Sequence, residues 1–431
     1  MVLAAATSVG VGVPLALQAR RSASLAQRLE LVTSLLQQVP LIDGHNDFPW
    51  NLRNFVHNEV EDFDFAADLR QVAPWNSSRW SHTDLPRLRR GMVGAQFWAA
   101  YVPCESQWMD AVPMSVEQID VVRRLVEKYP QYLSLATSVQ EIEESHSRGR
   151  IASLLGVEGG HSLGARLAVL RTFYQSGVRY LTLTHTCDTP WATSASTETE
   201  EQNAGKGLND FGRAVVLEMN RLGMIVDLSH TSRQTTLDAL EVSRAPVIFS
   251  HSSARALCNT TRNVPDDVLR LVASRGGLVM VNFYSEFIGC GPNATLVNVI
   301  EHLNYIREVA GIDHVGLGAG YDGINWTPEG LEDVSKYPYL FAELLSDSTW
   351  TEEDLKKLAG QNFLRVFRSV EEVSRELSSR QATPREDRID PRQLLYTSAA
   401  RCSWELSEAL SRQQQLQLPQ PEGEPGEQGE L

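Results

Sequence analysis

Five short apolar runs of this 431-residue chain each stop on a histidine or a carboxylate. The endings are His45 and Asp47, Glu158, His185, His230, and His251. Runs that are apolar throughout mark strands buried on both faces, and such strands belong to parallel sheets. Three further runs, 91–101, 278–283 and 315–318, bring the number to eight, and most are separated by segments of helical spacing. Eight strand–helix units predict an α/β fold, a (β/α)8 TIM-like barrel. There the C-terminal strand ends face one mouth, so the five endings become neighbours. A doubly wound open sheet is the competing architecture. It lacks support, because no G-x-G-x-x-G follows a strand and opens a helix.

The spacing predicts helices over 22–38, 116–128, 165–175, 210–222, 232–243, 296–309, 331–346 and 352–371. Ser115 reads as the N-cap of the second, with Gln118 completing a capping box. Residues 52–90 read as irregular and aromatic-rich. One domain is expected over 22–385. Residues 1–21 resemble a signal or truncated leader without a basic n-region. Residues 386–431 form an extension whose acidic, Pro/Gly/Gln-rich end is expected to be disordered. No run of 18 apolar residues marks a spanning helix, and no hydrophobic tail of the GPI-signal kind is visible.

A net charge of −15 with no basic stripe argues against a nucleic-acid partner. The five cysteines, Cys104, Cys187, Cys258, Cys290 and Cys402, include no C-x-x-C pair. Four N-x-S/T sequons stand at Asn76, Asn259, Asn293 and Asn325. Together they fit an oxidising secretory route ending outside the cell or on the outer face of the plasma membrane. Two internal disulfides and one cysteine bridging two chains would use all five.

His45 and Asp47 are two residues apart, so on a strand they aim an imidazole and a carboxylate the same way. That pairing suits a divalent metal such as zinc. One ion is expected on His45, Asp47 and Glu158, and a second on Glu158, His230 and His251. A carboxylate shared by two ions roughly 3.5–4 Å apart is how two-metal hydrolases prepare a bridging hydroxide as nucleophile. His185 alone reads as a core or rim histidine. His161 and His314 are expected off the mouth, with structural roles. No H-E-x-x-H occurs, which excludes a helical zincin site.

The strings Asp43-Gly44-His45-Asn46-Asp47, Gly156-Val157-Glu158-Gly159-Gly160-His161, Tyr180-Leu181-Thr182-Leu183-Thr184-His185, Asp227-Leu228-Ser229-His230, Ser250-His251-Ser252 and Arg262-Asn263-Val264-Pro265-Asp266-Asp267 resemble the membrane (renal-type) dipeptidases, in that family's order. The resemblance spans 41–371. It implies a barrel with two Zn2+ per chain that hydrolyses dipeptides, including leukotriene D4 and cystinyl-bis-glycine. It implies that His45, Asp47, Glu158, His230 and His251 hold zinc. His185 would polarise the scissile carbonyl, and Arg262 would bind the substrate carboxylate. It implies Cys104–Cys187 and Cys258–Cys290 disulfides, a homodimer joined through Cys402, and a lipid anchor.

One position departs from the pattern. Active members carry Gly-Asp-Phe/Tyr-Asp-Gly after the last strand, the first Asp serving the leaving amine. This chain has Ala319-Gly320-Tyr321-Asp322-Gly323. Asp322 is expected on the same strand face, about 6–7 Å further along, as the substitute acid or base. Two functions follow: a slow zinc dipeptidase, or a pseudoenzyme that binds peptides or partners.

Overall fold

The computed structural model describes residues 23–390. The leader, Cys402 and the acidic tail lie outside them. Nine strands run in chain order: β1 (Leu41–Asn46), β2 (Val93–Tyr101), β3 (Leu133–Leu135), β4 (Ile151–Glu158), β5 (Val178–Thr182), β6 (Ile225–Asp227), β7 (Ile248–Phe249), β8 (Leu278–Val281) and β9 (Val315–Leu317). The order β2-β1-β9-β8-β7-β6-β5-β4 is closed by a β2–β4 pairing, and the strand pairs are parallel. This is the expected (β/α)8 barrel. β3 lies outside the ring, beside Ile151, Ala152 and Ser153 of β4, ahead of the stretch that pairs with β5. Its three residues are too short a run to show a period.

The barrel is filled by Ile42, Phe97, Leu154, Tyr180, Ile225 and Met280. Phe363 and Phe367, from the helix Asn362–Ser379, plug the end where the strands begin. The next residues along, Trp98, Leu155 and Leu181, belong to the separate layer that packs on the surrounding helices. That in–out alternation is the period of a pleated strand. The long barrel strands β1, β2 and β4 are buried from both sides, which is why their sequences read as apolar runs.

Several local expectations are corrected. Ser115 is not an N-cap. Its helix runs Ala111–Lys128, and Ser115 Oγ donates to the Ala111 carbonyl at 2.7 Å from inside it. Pro113 falls in the first turn, where its missing N–H costs nothing, so the helix begins a turn early. Residues 52–90 are not wholly irregular. Phe48–Val56 and Leu85–Arg90 are helices, the second capped by Asp84, which accepts from Arg87 N at 2.7 Å. Phe48, Phe63, Phe65 and Trp75 stack into a small core there, with centroids 4.6–5.2 Å apart for the closest pairs. The expected 331–346 helix shortens to Tyr337–Leu344, and 352–371 resolves into Glu352–Lys356, a wide turn, and Asn362–Ser379. The first helix, Leu25–Gln38, is capped by Ser24, which exchanges hydrogen bonds with Gln27.

Two disulfides staple the mouth. Cys104–Cys187 joins the loops after β2 and β5, and Cys258–Cys290 joins those after β7 and β8. Between β1, β2 and β9 lies Asp43, fully buried. It accepts from His45 N at 3.3 Å, Ala319 N at 2.9 Å, Gln96 Nε2 at 3.1 Å and the Tyr337 hydroxyl at 2.8 Å. Asp43→Ala strands these donors in the interior. We expect it to lower unfolding free energy by about 3 kcal/mol or more in urea titration. A loss under about 1 kcal/mol would show that Asp43 is not a strut.

Candidate metal centre

The five strand endings converge as read. β1 brings His45, whose Nε2 lies 3.2 Å from Asp47 Oδ2 and 3.6 Å from Glu158 Oε2. β4 ends on Glu158, whose other oxygen is 3.1 Å from His230 Nε2 and 3.4 Å from His251 Nε2. The two latter nitrogens are 2.9 Å apart. All five residues are buried.

His45 and His251 are each held by a further side chain, and His230 through its backbone. The Tyr180 hydroxyl, 3.2 Å from the Gly44 carbonyl, donates there and accepts from His45 Nδ1 at 3.0 Å, which turns Nε2 toward Glu158. His251 Nδ1 pairs with Ser250 Oγ at 2.8 Å, and Ser250 donates onward to Asp227 at 2.7 Å. Asp227 also accepts from Ser229 N and Ser250 N, tying β6 to β7. His230 has a left-handed backbone, φ 66°. Its carbonyl accepts from Ala195 N and Thr184 Oγ1, at 2.8 and 2.9 Å, which secures that uncommon geometry. Ser194 hooks the 189–207 loop over this end, donating to the His185 carbonyl at 2.5 Å.

Burial, reinforced by Arg262 for His230 and by His45 for His251, holds both imidazoles well below the usual histidine range. Both are therefore neutral, as metal ligation requires. Burial opposes charge on His45 too, but the Asp47 and Glu158 carboxylates overcome it and raise its pKa. Burial likewise opposes charge on Glu158, yet His45, His185 and the hydrogen bonds from His230 and His251 hold it low. Three imidazoles gathered around one shared carboxylate fit a pair of divalent ions. The ligand atoms of His45, Glu158 and His251 lie within 4.8 Å of one another, as do those of Glu158, His185 and His230.

The cluster floors a cavity of about 870 Å³ walled by Trp50, Trp80, Tyr101, Tyr284, Phe287 and Ile324. Arg262 opens into it. Its guanidinium donates to the His251 carbonyl at 3.2 Å and Ser252 Oγ at 3.4 Å, stacks on Phe287, and keeps Nε unpartnered. Burial lowers its pKa to about 10, so it remains charged.

The chain matches the description Membrane dipeptidase (Peptidase family M19) over residues 29–381. It belongs to the membrane dipeptidase family. Dipeptidase 3 of Mus musculus is 48% identical over 345 residues, 80% of this chain and 67% of that protein. Dipeptidase 3 of Macaca fascicularis is 47% identical over 354 residues, 82% and 69% respectively. A Rhodobacter sphaeroides metallo peptidase, solved with a phosphinate mimic of the dipeptide L-Ala-D-Ala, superimposes with TM-score 0.68 at 25% identity, covering 77% of this chain and 99% of its own. The probable dipeptidase PvdM of Pseudomonas aeruginosa shares the fold, with TM-score 0.70 at 19% identity and coverage of 81% and 99%. The family establishes a metal-dependent hydrolase of the dipeptidase class.

Against that family pattern, the last strand ends differently from expectation. β9 stops at Leu317, and Gly320 and Asp322 both have positive φ, 75° and 66°. Asp322 is therefore not on a strand face shared with residue 320. Its carboxylate accepts from Asn51 Nδ2 at 3.0 Å and His82 N at 3.3 Å, and from the Thr83 hydroxyl. Burial, partly offset by those bonds, raises its pKa to about 7. At Gly320 a Cβ would meet only Ile324 Cγ2, at 3.8 Å, so a side chain has room there.

His161 follows β4 on the mouth side, contrary to expectation, but its Nε2 bonds the Val102 carbonyl at 3.0 Å and it keeps a supporting place. His314 precedes β9, at the opposite end. The residues missed from sequence are Tyr180, Asp227 and Ser250. Asp227 carried a signal: in Asp43-x-His45 and in Asp227-x-Ser229 alike, a strand aspartate accepts the N–H two residues on.

His185, packed on Tyr101 and His230, has its pKa lowered to about 4, chiefly by burial. It stays neutral as pH falls through the usual histidine range. In the metal-free protein its ring resonances should titrate near pH 4 by NMR. A midpoint above 6 would remove the neutral donor from the site.

Proposed function

We propose that the protein is a zinc-dependent dipeptidase of the cell exterior. The observation that carries this reading is Glu158, one carboxylate shared between the His45 side and the His230/His251 side. His45, Asp47, Glu158, His230 and His251 would hold two Zn2+ ions. Bound there, the ions supply Lewis acidity and an acidified water. His185, neutral and at the cavity floor, donates to the scissile carbonyl as oxyanion character develops. Arg262 binds the substrate's terminal carboxylate by its planar fork. Leukotriene D4 and cystinyl-bis-glycine are substrates to try, since the aromatic walls suit a large apolar group. The sequons at Asn76, Asn259 and Asn293 are exposed, and Asn325 is half-buried, which suits glycans on the first three best. A homodimer through Cys402, a lipid anchor and a single domain over 22–385 complete the proposal.

Gly320 favours the second reading, a pseudoenzyme that binds peptides. No carboxylate stands where the leaving amine would need a proton, and Asp322 is engaged with Asn51 and Thr83. The two readings separate in one assay. Zinc-loaded wild type should hydrolyse dipeptides slowly, and Gly320→Asp should raise kcat by about 10²–10⁴-fold. Aspartate is among the residues that best tolerate the positive φ there. Equal rates would mean that Gly320 is no lesion. Absence of hydrolysis by either protein would leave only the binding role.

A further inference from the structure

One further strand end reaches the mouth. Asn282 follows β8, between the β7 ending that carries His251 and the β9 ending that carries Gly320. It is 2% exposed and lines the cavity. Its Oδ1 accepts the backbone N–H of Tyr284 at 3.1 Å. A backbone N–H can only donate, so this bond fixes which end of the amide is which. The Nδ2 end is left with no partner among the described residues. A buried donor without a partner is destabilising, and in a cavity it is satisfied by whatever enters.

The chemistry of the entering group is constrained. Nδ2 offers hydrogens only, so it takes an acceptor and rejects an ammonium group. Arg262 lines the same cavity, and a run of packed residues connects the two. Its guanidinium stacks on Phe287 at 5.4 Å, Phe287 packs on Tyr284 at 4.8 Å, and Tyr284 is held by Asn282. Arg262 Nε is the other unpartnered buried donor among these residues.

We propose that Asn282 is a substrate-binding residue that donates to the C-terminal carboxylate of the dipeptide, completing with Arg262 a two-residue clamp. The inference rests on the dipeptidase reading and deepens it. The amide supplies direction without charge, so the free carboxylate is preferred over a C-terminal amide.

The test uses zinc-loaded full-length protein with Leu-Gly as substrate and Leu-Gly amide as competing inhibitor. Asn282→Ala should raise KM for Leu-Gly about 10- to 100-fold with kcat within about threefold. The nearly isosteric Asn282→Asp should lose Leu-Gly further by charge repulsion, yet bind the amide at least as well as wild type. That reversal of preference is one that a structural role would not produce, and it can be read even if the alanine variant folds poorly. Unchanged KM in both variants, or equal weakening toward both ligands in Asn282→Asp, would overturn the clamp while leaving an active wild type as a dipeptidase. A wild type that neither hydrolyses Leu-Gly nor binds its amide would overturn the dipeptidase reading, and this inference with it.

Discussion

The structure turns on one buried carboxylate. Glu158 sits with three imidazole nitrogens 3.1–3.6 Å away, at the point where β1, β4, β6 and β7 approach one another. Removing an ion pair from water costs several kcal/mol per charge unless hydrogen bonds and partners compensate. The compensation here is built from strand geometry. A closed barrel is what brings His45 and His251, just over 200 positions apart in sequence, to the same carboxylate. The interior plug and the outer helices keep the strands in register, and the two disulfides hold the loops above them.

A second layer of aspartates does for the backbone what Glu158 does for the imidazoles. Asp43 joins β1 to the segment after β9, and Asp227 joins β5, β6 and β7. Each accepts the N–H two residues further on, just before the chain delivers a histidine to the mouth. Positioning the aspartate first and the ligand next restricts the side chains before any ion arrives. That preorganisation is what a metal site needs to hold a fixed geometry.

How much of this was legible in the sequence depended on chemistry at each position. Buried parallel strands announce themselves as apolar runs, so the barrel and the endings at His45, Glu158, His230 and His251 could be read directly. Ser115 misled because a serine before an apolar run looks the same inside a helix as at its start, and a proline such as Pro113 is accommodated in a first turn. Asp322 misled because extended geometry was carried past Leu317, where the backbone turns left-handed at Gly320. Tyr180 and Ser250 were invisible, since their roles come from neighbours on other strands. Asn282 was invisible for a further reason: its meaning lies in a bond that it does not make.

The charge balance of the cavity then divides the work. The floor gathers the imidazoles of His45, His230 and His251 around one carboxylate, the Arg262 side carries a lone guanidinium, and residue 320 itself supplies no ionisable group. Binding a divalent pair and an anionic terminus suits this arrangement, whereas protonating a leaving amine does not. The central claim is that Glu158 bridges two ions. Anomalous diffraction at the zinc edge from zinc-loaded crystals tests it most directly. The account predicts two peaks roughly 3.5–4 Å apart, one on each side of the Glu158 carboxylate. A single peak, or peaks not shared by Glu158, would contradict it.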